Sequence, residues 1–239
     1  VTGLNATFVD VGHERDGFLH YLDLGPKYKT FDSYLQKSLG KKLNTASLKG
    51  FKREEEIDKA GKIDEVLKSG NKILVQVAKE PISTKGPRLT TELTIAGRYM
   101  VLVPFSDKVS VSQKIESFEE KKRLKKLVQS IKPQGFGVII RTVAQGKMVA
   151  DLDADLKYLY KKWQILFAQI KKAKPPSKVL GELGRTASLL RDLLNDDFIN
   201  IYVNNEDLHL EIKDYIGTIS AEQEGIVKLY KGKIPLLQK

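Results

Sequence analysis

No cysteine occurs in the 239-residue chain, which excludes internal disulfides, iron–sulfur clusters and thiolate zinc sites. No apolar run approaches the roughly 18 residues of a membrane-spanning helix, and no secretory signal opens the sequence. Histidine is scarce. His13, His20 and His209 stand far apart, and their spacing builds neither a metal-ligand set nor a nucleophile–base pair. A serine elbow, a P-loop and a dinucleotide fingerprint are missing as well. What the chain has in plenty is positive charge: 41 lysine and arginine residues against 30 aspartate and glutamate, a formal net charge of +11. That excess favours a polyanionic partner, nucleic acid ahead of a membrane surface. With 41% hydrophobic and 8% aromatic residues there is enough apolar surface for packed cores. A cytoplasmic location is the simple expectation. Because residues 1–6 run straight into a strand and the chain stops at Leu-Leu-Gln-Lys, a fragment of a longer protein is expected.

The most informative stretch, residues 135–142, reads Gly-Phe-Gly-Val-Ile-Ile-Arg-Thr. Val138 to Ile140 form an unbroken β-branched run flanked by glycine, which predicts a short strand covered on both faces. Arg141 and Thr142 at its end set a rigid fork of N–H donors beside a hydroxyl. That pairing suits a phosphate, whose oxygens meet planar donors two at a time. Pairing of Arg141 with a neighbouring carboxylate is the alternative.

Elsewhere the pattern is mixed α+β. Ala6 to Val11 alternate, with Thr7, Val9 and Val11 on one face and Phe8 and Asp10 on the other. The next strand repeats this, Leu19 and Tyr21 opposing Phe18 and His20. Phe8 and Phe18 thus fall on the wetter face, either as ordinary exposed apolar groups or as a platform for stacking bases. Residues 25–70 are polar and lysine-rich and read as a long insertion with one or two short helices. Ile73 to Val77, Leu89 to Ile95 and Tyr99 to Phe105 read as further strands, so a small antiparallel barrel is expected. Ser117 and Glu120 have capping-box spacing and open a helix bearing Lys121, Lys122, Lys125 and Lys126, a solvated face or a set of phosphate contacts. Its expected buried stripe is Leu124, Leu127 and Ile131.

Residues 151–173 give the clearest helix, with Leu152, Leu156, Leu159, Trp163, Leu166 and Ile170 in one seam before Pro175-Pro176. Its opening Asp-Leu-Asp-Ala-Asp is no calcium loop, because Leu156 and Lys162 stand where glycine and glutamate are needed. Asp151, Asp153 and Asp155 read instead as charges complementing the helix dipole. A helix over 187–194, a strand over 198–203, a helix over 207–216 and a strand over 226–230 complete a small α/β piece. Asp196 and Asp197, the best carboxylate pair for a two-metal phosphodiester site, fit a simple turn.

Taken in order, several runs resemble the bacterial ribonuclease E/G family, nearer its ribonuclease G side. They are residues 6–12 (Ala-Thr-Phe-Val-Asp-Val-Gly), Gly17-Phe18-Leu19, Lys85-Gly86 with Leu89-Thr90-Thr91, Ala96-Gly97, residues 99–102 (Tyr-Met-Val-Leu), residues 137–142, Trp163, and residues 226–235. The match spans nearly the whole chain apart from an insertion near 27–60. The resemblance implies an α+β, multi-domain chain. Residues 1–91 would be an S1 domain, an OB-type β-barrel lacking its first strand. Residues 92–187 would be a mixed α/β 5′-sensor region with a long helix, and residues 188–239 part of a ribonuclease-H-like subdomain.

The same resemblance implies that Phe8, Phe18, Lys79 and Lys85 bind single-stranded RNA, and that Gly97, Val101, Arg141 and Thr142 hold its 5′-monophosphate. Where the family places an arginine within the stretch matching residues 111–115, this chain has Gln113 beside Lys114. The implied parent is an endoribonuclease of RNA processing and decay, hydrolysing phosphodiesters with Mg2+ held by aspartates beyond this chain. No catalytic or metal-binding residue is then expected here, and a homo-oligomer is expected of the full-length protein. A non-catalytic S1-type RNA-binding adaptor is the alternative, and a ribosome-associated S1 protein a third reading.

Overall fold

The computed structural model describes residues 2–181, 184–194, 197–219, 221–232 and 234–236. They divide into two units, Val1–Gly181 and Glu182–Lys239, both mixing helix and strand.

The first unit contains two four-stranded sheets. Strands β1 (Ala6–Val9) and β2 (Gly17–His20) form an antiparallel hairpin, and β3 (Gln76–Lys79) and β4 (Arg88–Thr90) complete the order β1-β2-β4-β3. The expected closed barrel is not formed among the described residues; the sheet is open. The reason lies in what covers its apolar face. Leu19 and Leu89, both fully buried, pack with Tyr28, Ile57 and Ile63 from the segment between β2 and β3, so the insertion takes the place that curling strands would fill. That segment holds α1 (Tyr28–Leu39) and the single turn α2 (Ile63–Val66), in keeping with one or two short helices.

The second sheet contains β5 (Ile95–Ala96), β6 (Met100–Pro104), β7 (Val109–Val111) and β8 (Phe136–Ile140), in the order β5-β6-β8-β7. Helix α3 (Phe118–Ile131) links the parallel pair β7 and β8, and α4 (Val149–Ile170) packs beside it. Ser117 caps α3 by accepting the Glu120 N–H at 3.2 Å. All six seam residues of α4 are buried, as the spacing predicts. In α3 the fully buried positions are Leu124 and Val128, with Leu127 and Ile131 only partly covered.

A strand covered on both faces is corrected at β8. Phe136, Val138 and Ile140 are fully buried, but Ile139 is 43% exposed, because the core against α3 and α4 lies on one side of this sheet only.

The insertion also enters this second core. Phe31, Tyr34 and Leu35 of α1 join Met100, Leu102 and Phe136 in one cluster, and the Trp163 indole N–H donates to the Ala46 carbonyl at 2.8 Å. Full burial of Phe31 or Leu35 stabilises by about 1.5–3 kcal/mol each. Residues 27–60 are therefore a structural tie between the two sheets.

In the second unit, α5 (Arg185–Leu193) precedes β9 (Ile201–Val203), α6 (Glu206–Ile219) and β10 (Val227–Leu229). β9 and β10 are parallel, and Val203, Ile212, Ile216 and Val227 form the core beneath them.

Candidate functional site

On the first sheet the hairpin register sets Phe8 directly opposite Phe18, and their rings meet edge to face at 5.9 Å. Phe8 is 56% exposed and Phe18 half-buried, so both lie outside the core, as the alternation predicts. The row continues across the sheet. Phe18 pairs with Arg88 of β4, and Arg88 stands opposite Lys79 of β3 beyond a bulge. Arg88 forks onto Asp23, Nε to Oδ2 at 3.0 Å and Nη2 to Oδ1 at 3.2 Å. Lys79 is exposed. Lys85, also exposed, sits in the tight turn joining β3 to β4, where its N–H donates to the Ile82 carbonyl at 3.0 Å. Gly86 lets that turn press on the loop between β1 and β2, since a Cβ there would lie 2.0 Å from the Asp16 carbonyl oxygen. The turn bearing Lys85 is thereby fixed against the loop between the two phenylalanine strands.

The second constellation gathers at one end of β6 and β8. The backbone N–H of Arg141 donates to the Tyr99 carbonyl at 2.8 Å, and its Nη1 donates to the Gly97 carbonyl at 3.0 Å. Val101 pairs with the exposed Ile139 on the open face of this sheet. Thr142 Oγ1 lies 3.1 Å from Ser112 Oγ, a hydroxyl pair brought together because the Ser112 N–H donates to the Ile140 carbonyl. Lys114 is exposed, two residues further along. The structure thus joins Arg141 to Gly97 through its guanidinium and Thr142 to Ser112 through its hydroxyl, with Val101 on the open face of the same sheet, while Phe8, Phe18, Lys79 and Lys85 lie on the first sheet.

Two residues of this region have roles that the sequence does not show. Ser112 carries no distinguishing local pattern. Asp155 has the spacing of a dipole-complementing charge, yet its carboxylate accepts three backbone N–H groups, those of Arg98 at 3.0 Å, Tyr99 at 2.9 Å and Met100 at 3.0 Å. Burial raises its pKa, against the pull of those three donors and of the nearby Arg141. Gly97 belongs to the same arrangement, because a Cβ there would meet the Asp155 carboxylate oxygens at 2.6 and 2.7 Å. Asp155 therefore shapes the turn whose carbonyl holds Arg141. Asp151 and Asp153 do lie on the helix surface, Asp153 paired with Lys157 at 2.6 Å.

The loop after Thr142 is anchored separately. Arg123 on α3 binds Glu120 through two 2.7 Å bonds and donates to the Lys147 carbonyl at 3.0 Å, while the Gly146 N–H donates to Glu120 at 2.8 Å. The Arg123 side-chain bonds, followed by the Gly146 N–H, hold the Glu120 pKa down to about 2.

Asp196 lies outside the described residues, and Asp197 sits in an exposed turn. Among the described residues no three His, Cys, Asp or Glu side chains converge to hold a metal ion. No described helix is long and apolar enough to cross a membrane.

A family model described as "Ribonuclease E/G family" matches residues 94–239. The chain is 32% identical to ribonuclease G of Haemophilus influenzae over 98% of its own length and 44% of that protein. It is 33% identical to ribonuclease E of Nostoc sp. over 99% of its length and 31% of that protein. Ribonuclease G of Escherichia coli K12 is 31% identical over 98% and 44% respectively. The chain spans less than half the length of these curated relatives.

Proposed function

Because the chain belongs to the ribonuclease E/G family, we propose that it forms the RNA-recognition part of a metal-dependent endoribonuclease. In this reading the first sheet is an S1-type surface that grips single-stranded RNA, and Arg141 with Thr142 takes the 5′-monophosphate. Cleavage belongs to the whole protein.

The observation that carries the reading is the placement of Arg141, one guanidinium arm on the Gly97 carbonyl, next to the Thr142 hydroxyl at the end of β8. An arginine with one arm fixed on a backbone carbonyl is oriented before ligand arrives, so less side-chain entropy is lost on binding. A guanidinium matches phosphate oxygens with parallel donors, and the adjacent hydroxyl supplies one more. When Ser112 donates to Thr142, the Thr142 hydroxyl hydrogen is available to a ligand oxygen. On the other sheet, each base stacked on Phe8 or Phe18 contributes about 1–3 kcal/mol, and the net charge of +11 supports the attraction to RNA. Among the described residues no group of three His, Cys, Asp or Glu side chains gathers to hold magnesium, and no step of this mechanism passes through it.

Fluorescence anisotropy with an Arg141→Ala variant tests the reading. Binding of a 5′-monophosphorylated oligomer should weaken by about tenfold, the worth of one charge-assisted contact, and binding of the 5′-hydroxyl oligomer should stay unchanged. An equal loss on both oligomers, or none on either, would remove the 5′-phosphate role.

A further inference from the structure

The face of the first sheet contains a cation with no assigned role. Register places Phe8, Phe18, Arg88 and Lys79 in one row across all four strands, two aromatic rings followed by two positive charges. At strand spacings near 4.8 Å the row is about 14 Å long. Its order matters, because unpaired nucleotides alternate a flat apolar base with a charged phosphate, and an electrostatic groove beside stacking rings binds both.

Arg88 is 48% exposed, and two of its five N–H donors go to Asp23. The fork on Asp23 fixes the guanidinium plane while the opposite edge keeps donors for a second anion. Lysine could supply charge at this position, but only arginine can hold a carboxylate and a phosphate at once in one plane.

We propose that Arg88 is an RNA-contacting residue, taking a backbone phosphate between bases stacked on Phe8 and Phe18 and the charge of Lys79, with the RNA laid across the strands. Asp23 is its positioning residue. The proposal rests on the reading of this sheet as an RNA-binding surface and adds to it both a contact and a direction for the strand.

The test measures affinity for a short 5′-hydroxyl oligouridylate over a salt series, so that 5′-end contacts contribute nothing. Removing one phosphate contact to a single strand lowers the slope of log K against log salt by about 0.7. Arg88→Gln should show that drop, with affinity reduced roughly five- to tenfold at low salt. Arg88→Lys should keep the slope, and Asp23→Asn should keep it too because the cation remains. Phe8→Ala should weaken binding with the slope unchanged.

An unchanged slope for Arg88→Gln, alongside weakened binding by Phe8→Ala, overturns the assignment of Arg88 and leaves the RNA-binding face standing. The positioning role of Asp23 fails if Asp23→Asn changes neither the slope nor the affinity. Silence from both Phe8→Ala and Arg88→Gln would overturn the RNA-binding face itself.

Discussion

Replacing Asp155 by alanine removes one acceptor shared by three backbone donors. The N–H groups of Arg98, Tyr99 and Met100 all end on this carboxylate, and the turn they form lies between β5 and β6. A buried donor left without an acceptor costs about 1–3 kcal/mol. These three are only part-buried and water can reach some of them, so the lower bound, about 1 kcal/mol each, is appropriate. Against that roughly 3 kcal/mol stands relief of the burial that raises the Asp155 pKa. The expected net loss is about 2–3 kcal/mol, which for a chain of this size lowers the melting temperature by roughly 4–12 °C. Asp155→Asn can keep its amide oxygen at the Oδ2 position, where the Tyr99 and Met100 N–H groups end, and turns its N–H2 toward the Arg98 donor alone, so it should recover more than half of the loss. Circular dichroism melts at neutral pH measure both variants. A shift below about 1 °C for Asp155→Ala would show that the three bonds do not stabilise the turn.

Other outcomes follow from the same geometry. Glu120 has a folded pKa of about 2, below its unfolded value, so its contribution is present above the unfolded carboxylate range and is lost as pH falls toward 2. Melts of Glu120→Gln should therefore lie below the parent at pH 7 by roughly 1 kcal/mol, discounted for solvent at this surface pair, and the gap should narrow on acidification. A gap that widens toward acid contradicts the assignment. Tyr34→Phe should be neutral or stabilise by up to about 1 kcal/mol, because the Tyr34 hydroxyl is buried without a hydrogen-bond partner; urea denaturation giving a loss above ~1 kcal/mol would argue for an unrecognised partner.

Legibility from the sequence followed the length and regularity of each pattern. The α4 seam spans six buried residues at helical spacing, and no tertiary context is needed to read it. Likewise the alternation around Phe8 and Phe18 set their face before any partner strand was known. Helix α1 was harder. Its stripe of Tyr28, Phe31, Tyr34 and Leu35 is interrupted by Lys29, Asp32 and Lys37, so the segment reads as polar although the stripe reaches into two cores. Strand β7 has three residues, one of them Ser110, and exists because β8 offers it a parallel edge. The open first sheet was illegible for a related reason: the insertion covers the apolar face, and only packing shows that. At the candidate site, Arg141 and Thr142 announced themselves as a polar end to an apolar strand. Asp155 did not, because its role depends on a turn more than fifty residues away in sequence coming to rest over α4.

In the proposed function an RNA 5′ end is discriminated by a guanidinium and a hydroxyl held beside a backbone turn. The most direct test of this is the ratio of dissociation constants for two oligomers of one sequence, one ending in a 5′-monophosphate and the other in a 5′-hydroxyl, titrated against the unmodified protein. The phosphorylated strand should bind about tenfold more tightly. Equal dissociation constants for the two strands would contradict it.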